Sequence, residues 1–112
     1  MTLSYHCQYE RSNRIQHIQR EIGLGAIVIE QHRRTSYEQQ AKGLYGKYVC
    51  ITDTGVTIVK TEDRQKVITV YVTTIPELVR VYGGVAKVPT ELYKKVSYNQ
   101  TKYIKDGKTI WP

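Results

Sequence analysis

The sequence predicts an α+β domain: an N-terminal helix packed on a twisted antiparallel sheet of three to four strands, followed by two short helices. Three observations predict it. Residues 4–22 place Ile15, Ile18 and Ile22 at i, i+3 and i+7, the apolar stripe of a helix. Residues 47–73 alternate apolar and polar side chains between runs of turn residues, the pattern of an antiparallel meander. Residues 74–99 return to helical spacing behind two helix-start signals, Thr74 and Pro89. At 112 residues the chain is read as one domain, 1–112, with its core in 4–100 and a basic C-terminal tail in 101–112.

Taken in order, Ser4 is a fair N-cap for the first helix, and Gly23 stands where a C′ glycine ends one. The core stripe of this helix runs back from Ile15 to Arg11 and to Cys7 or Gln8. Its opposite stripe holds His6, Glu10, Asn13, His17 and Arg20 or Glu21. "AIVIE" (26–30) is rich in branched residues and reads as a short strand. "QHRRTSYEQQAKGLYG" (31–46) is polar and without a sustained period, so a loop with a short helical piece is expected. "KYVCIT" (47–52) is a strand, Asp53-Thr54-Gly55 a turn, and "VTIVK" and "KVITVYVT" are strands joined by the charged turn "TEDRQ". Ile68, Val70 and Val72 alternate on one face, expected to pack on the first helix. Val67, Thr69, Tyr71 and Thr73 form the other, together with Thr57. Thr74 caps "IPELVRVYG", with Pro76 in its first turn and Gly83-Gly84 ending it. "PTELYKKVSYN" follows, with Leu92 and Val96 on one face. The tail "TKYIKDGKTIWP" holds an Asp-Gly turn and a final strand or hairpin anchored by Trp111.

The charge is uneven. The net charge is +7, and residues 87–112 alone contribute +4, from six lysines against Glu91 and Asp106. A basic C-terminal quarter suits a polyanion or an acidic protein surface. Ten tyrosines, one tryptophan and no phenylalanine make the aromatic content amphipathic, and Tyr93, Tyr98 and Tyr103 sit among those lysines. Rings interleaved with cations are what single-stranded nucleic acid binding uses, stacking plus phosphate neutralisation. Half-buried core tyrosines produce the same pattern. No run of residues approaches a membrane span or a signal-peptide core, so a cytoplasmic protein without membrane association is expected. Cys7 and Cys50 lack metal-type spacing and are expected to be free thiols.

No P-loop, HExxH or G-x-S-x-G motif is present, and Gly23-Leu24-Gly25 begins a dinucleotide fingerprint that fails at Val28. The carboxylates form no recognisable acid/base pair, and no metal or cofactor is expected. Histidine with arginine remains: His6 and His17 share one stripe of the first helix, and His32 precedes Arg33-Arg34. Metal-independent RNA cleavage needs a base, an acid and cations around the phosphorane, and histidine suits the proton transfers. His6, Arg11 and His17 are the candidate catalytic set, although exposed helix histidines are the commoner reading and non-catalytic binding is favoured.

The helix "SYHCQYERSNR" followed by "GKYVCITDTGVTIVKTEDRQKVITVYV" resembles small, mostly phage-encoded proteins of unknown function. These are similar to the barnase–EndoU–colicin–RelE group of small RNase folds, and the resemblance covers residues 4–22 and 47–100. It implies helices on one face of an antiparallel sheet whose other face is the functional floor. Thr57, Thr69, Tyr71 and Thr73 would then meet ligand, with Tyr93, Lys94, Lys95 and Lys102 as further contacts. A solvated sheet face would read the same. Two functions stay open: a module that binds RNA, another polyanion or a nucleic-acid-handling complex, and an anti-defence (anti-CRISPR-like) inhibitor that binds a host protein.

Overall fold

The computed structural model describes residues 2–3, 12–34, 36–41, 45–105 and 108–109. The α+β expectation holds. The elements are β1 (Thr2–Leu3), α1 (Ser12–Glu21), β2 (Ile27–Arg34), α2 (Tyr37–Ala41), β3 (Gly46–Thr52), β4 (Val56–Thr61) and β5 (Lys66–Val72). They are followed by α3 (Ile75–Tyr82), a 3-10 turn (Val85–Lys87), α4 (Thr90–Tyr103), β6 (Ile104–Lys105) and β7 (Lys108–Thr109). The main sheet has the order β1-β5-β4-β3-β2. β2 to β5 form an antiparallel meander, while the two-residue β1 pairs in parallel with β5. Among the described residues, no helix is long and apolar enough to cross a membrane.

α1 ends as expected. The Gly23 and Ile22 amides both donate to the Ile18 carbonyl, and Gly23 has φ 82°. The predicted start of this helix, residues 4–11, lies outside the described residues. β2 runs four residues further than expected. Gln31-His32-Arg33-Arg34 have weak strand propensity, yet continuous pairing from Glu30 opposite Cys50 to Arg34 opposite Gly46 fixes them. The expected loop therefore shrinks, and its helical piece is α2.

α3 is capped as the sequence indicates. The Thr74 hydroxyl accepts from the Glu77 amide at 3.4 Å, and the Gly83 amide closes the C-terminus onto Val79. α4 outruns its expected end at Asn99 and finishes at Tyr103, whose side chain is buried. The tail boundary at 101 thus falls inside a helix that belongs to the core. Lys105 opposite Lys108 closes the expected hairpin. Trp111 lies outside the described residues.

Two apolar layers form, one on each face of the sheet. Ile15 and Ile18 of α1 pack on Cys50, Val56, Ile58, Val67, Val70 and Val72, joined by Tyr103. On the opposite face Leu78 and Val81 of α3 and Leu92 and Val96 of α4 pack on Val49 and Ile51. The expectation that one sheet face stays open is corrected here: α3 and α4 cover it.

The register on β5 is also corrected. Val59 pairs with Thr69 but Lys60 pairs with Val67, so Ile68 is an extra, bulged residue. The bulge inverts the alternation behind it and turns Val67, not Ile68, toward α1. Val67 is 1% exposed.

α4 is seated by the turn Asp53-Thr54-Gly55. The Asn99 amide donates to the Thr54 carbonyl at 2.9 Å. Gly55 has φ 84°, and a Cβ there would stand 2.8 Å from Asn99 Nδ2, so only glycine permits this approach. The same turn holds the exit from α1. Thr54 Oγ1 donates to the Gly23 carbonyl at 2.6 Å, and the Ala26 amide donates to Asp53 Oδ1 at 3.1 Å.

The bulge is testable by stability. Val67→Ala should lower the unfolding free energy by roughly 2 kcal/mol, as expected for a fully buried side chain. Ile68→Ala should cost clearly less, although it removes the larger group. Urea melts that rank the two the other way round would place the bulge elsewhere.

Candidate nucleic-acid interface

α4 sorts its side chains by the helical repeat. Leu92, Val96, Asn99 and Tyr103 are buried. Beside them Glu91, Lys95, Tyr98 and Lys102 recur at i, i+4, i+7 and i+11 and form an outer stripe, with Lys94 at its flank. This stripe is one wall of a cleft of about 440 Å³. Glu21 and Ile22 at the end of α1, together with Thr54, make the other wall. A second hollow of about 360 Å³, lined by Val28, Asp53, Tyr82, Pro89 and Leu92, shares Glu91 and Lys95 with the first. The two therefore adjoin at these side chains.

The cations are available. Lys94 Nζ stands 3.9 Å from Glu91 Oε1, and with side chains 70% and 90% exposed this pair holds neither group firmly. Lys95 has no ion pair among the described residues. Lys102 Nζ lies 5.2 Å from the centre of the Tyr103 ring and 5.8 Å from that of Tyr98. A hydrogen bond with Tyr103, then the proximity of the Tyr103 and Tyr98 phenols, raises the Lys102 pKa, so its ammonium stays charged. Tyr98 is 63% exposed, an aromatic surface between lysines. Lysine stems crossing such a ring leave the charged ends in water.

The structure divides the candidate residues named from sequence. Lys94, Lys95 and Lys102 converge on the cleft. Tyr93 does not: it shares the other flank of α4 with Gln100, whose Oε1 accepts from the Ile75 amide of α3 at 2.8 Å. His6 and Arg11 lie outside the described residues. His17 is half-buried on α1, one turn before Glu21, and does not line the cleft. Thr57 and Thr73 are both fully buried and hydrogen-bond each other at 2.8 Å, so no ligand reaches them while α3 and α4 are in place. Thr69 is half-buried opposite Val59.

Tyr71 also faces inward. Its hydroxyl donates to Glu77 Oε1 at 3.0 Å. Glu77 Oε2 accepts from Arg80 at 2.9 Å and from Arg33 at 3.5 Å, so one carboxylate ties α3 to β5 and to β2. Burial, reinforced by the negative charge of Glu77, pushes the Tyr71 phenol far above its usual value.

Thr54 and Glu21 are site residues that sequence reasoning missed. Nothing local marks them for a site: Thr54 reaches the cleft because its turn docks under α4, and Glu21 because the end of α1 is held beside that turn. The interleaving of Tyr93, Tyr98 and Tyr103 with the C-terminal lysines was the one legible signal. Among the described residues no group of three or more His, Cys, Asp or Glu side chains is placed to hold a metal ion. Comparison with family models, with curated proteins and with solved structures finds no match. The resemblance to phage proteins and RNase-like folds therefore rests on the quoted motifs alone.

The Tyr71 environment has a pH signature. A phenol whose folded-state pKa lies above the usual 10.0 contributes stability that is present below that pH and is lost as the pH rises toward the raised value. Tyr71→Phe should therefore flatten the decline in stability above pH 10, while costing about 1 kcal/mol at neutral pH for the lost hydrogen bond. Thermal melts of both chains between about pH 9 and 11 check this; parallel declines would show that Tyr71 ionises as freely as an exposed tyrosine.

Proposed function

We propose that this chain is a small basic module that binds single-stranded nucleic acid, RNA foremost, along the outer stripe of α4, and that it acts by binding rather than by catalysis. One observation carries the reading: Lys95, Tyr98 and Lys102 alternate cation, ring and cation along one helix face and line a cleft of about 440 Å³. The lysines neutralise phosphates while the exposed Tyr98 ring offers a stacking surface to any base. Such contacts carry little sequence information. The candidate catalytic histidine within the described residues, His17, stands away from this cleft, which supports binding without cleavage.

A second reading, docking on a host nucleic-acid-handling protein, draws on a different observation. Val28 and Val85 are 49% and 61% exposed, and Val28 lines the hollow that adjoins the cleft. Exposed apolar side chains beside a charged groove suit a protein partner.

Salt dependence separates the two. For a nucleic acid, changing Lys94, Lys95 and Lys102 together to Gln should flatten the slope of log K against log salt by about 2. Tyr98→Ala should weaken binding of an RNA oligonucleotide by about 1–3 kcal/mol. For a protein partner, the lysine changes should act mainly on the association rate, while Val28→Asp should abolish capture. A fluorescently labelled oligonucleotide titrated at several salt concentrations gives the first result. An unchanged slope in the triple variant counts against the α4 stripe.

A further inference from the structure

A second constellation lies at the far end of the sheet from the α4 cleft. His32 and Tyr48 are cross-strand partners on β2 and β3. His32 Nε2 lies 3.1 Å from Glu62 Oε1, in the β4–β5 turn. The imidazole stands edge-on to Tyr48, with ring centres 5.1 Å apart. Arg64 covers the Tyr48 ring at 4.1 Å and reaches Glu30 at 3.1 Å. The imidazole is thus held from two sides on a surface where nothing in the core requires it.

Gly46 supplies an independent sign that the place is built. Its backbone is ordinary strand, so no positive φ calls for glycine. Space is used instead: a Cβ at Gly46 would meet His32 Nε2 and stand 2.9 Å from Glu62 Cδ, so these two exposed side chains would have to shift from their present pairing. Glycine in a paired strand weakens it and often marks a close approach. Here it makes room for the His32–Glu62 pair.

That pair walls a hollow of about 300 Å³ whose remaining lining is Arg34, Gln40 and Tyr45. Arg34 has no ion pair among the described residues, so its charge is left to the hollow. Tyr45 is 62% exposed and turns an aromatic ring to the same space. A free guanidinium, an oriented imidazole, a carboxylate acceptor and an open ring within one small hollow match a nucleotide: an anion, N–H donors and a flat heterocycle.

We propose that this hollow binds one nucleotide unit, its phosphate on Arg34 and His32 and its base stacked on Tyr45. The proposal rests on the nucleic-acid reading of α4 and gives the same strand a second anchor point. The probe is adenosine 5′-monophosphate, titrated into the full chain and followed by NMR at the His32 imidazole and Tyr45 ring. Both signals should shift and saturate in the millimolar range. Arg34→Ala should weaken the effect by roughly tenfold, the size of a lost charge-assisted contact. Gly46→Ala should weaken it as well, by wedging His32 from Glu62 without removing either. Should that variant unfold, Tyr45→Ala serves instead, with affinity dropping to that for inorganic phosphate.

Failure is recognisable in three ways. Nucleotide that moves neither signal overturns the pocket. Inorganic phosphate that binds wild type as tightly as the nucleotide also overturns it, because the ring then contributes nothing. An RNA oligonucleotide that shifts Tyr98 but not Tyr45 overturns it while leaving α4 intact. Conversely, suppose oligonucleotide binding is unaffected by the Lys94, Lys95 and Lys102 changes while His32 and Tyr45 still respond to the nucleotide. The α4 reading then falls and the pocket stands.

Discussion

The close approach of α4 to the Asp53-Thr54-Gly55 turn is the constraint on which the rest of this molecule depends. Three residues receive the loop leaving α1, close the β3–β4 hairpin and accept Asn99 from α4. Glycine at position 55 is the condition for that contact, since a Cβ would collide with the Asn99 amide and the backbone there holds φ 84°. Because α4 is held there, it passes from one side of the sheet to the other: Leu92 and Val96 belong to one apolar layer, Tyr103 to the opposite one. The two layers are thus joined by one helix, and its remaining face must look outward. The lysine–tyrosine stripe is what remains after those packing demands are met.

Covering both sheet faces decides where ligands can act. With helices on each side, the threonines of the central strands serve the interior. Thr57 and Thr73 satisfy each other, as buried hydroxyls must. Glu77 does the same on a larger scale, gathering Tyr71, Arg80 and Arg33 above the sheet. A carboxylate at 9% exposure needs such partners, and losing it would leave the mostly buried Arg33 without its counter-charge. On the proposed reading, recognition is left to the periphery: the outer stripe of α4 and the hollow beside His32.

The sequence showed the architecture through features that are local in origin. The isoleucine stripe of α1, the glycine that ends it, the turn at Asp53-Thr54-Gly55 and the Thr74 cap each depend on a few neighbouring residues, and each is present. Features set by pairing between distant segments were not legible. The bulge at Ile68 leaves no mark on the alternation, which reads equally well in either register. The strand character of Gln31 to Arg34 comes from β3 rather than from those side chains. The candidate site was half legible: its lysines stood out by charge, but Glu21 and Thr54 arrive from elsewhere in the chain. The threonine-rich face misled, since alternating threonines look the same beneath a helix as beneath water.

Cys50 sits at 0% exposure in the middle of β3, against the α1 layer. Burial, followed by the neighbouring Glu30 charge, raises the pKa of its thiol. Alkylation requires a thiolate that meets solvent, and the native chain denies it both conditions. Modification at this position therefore follows the rare openings that part α1 from the sheet, and its rate is a clock for them. Any molecule that binds only the closed form slows that clock in proportion to its occupancy, whichever surface it uses. The chain thus carries, at the centre of its sheet, a built-in reporter of ligands whose chemistry has not been specified in advance.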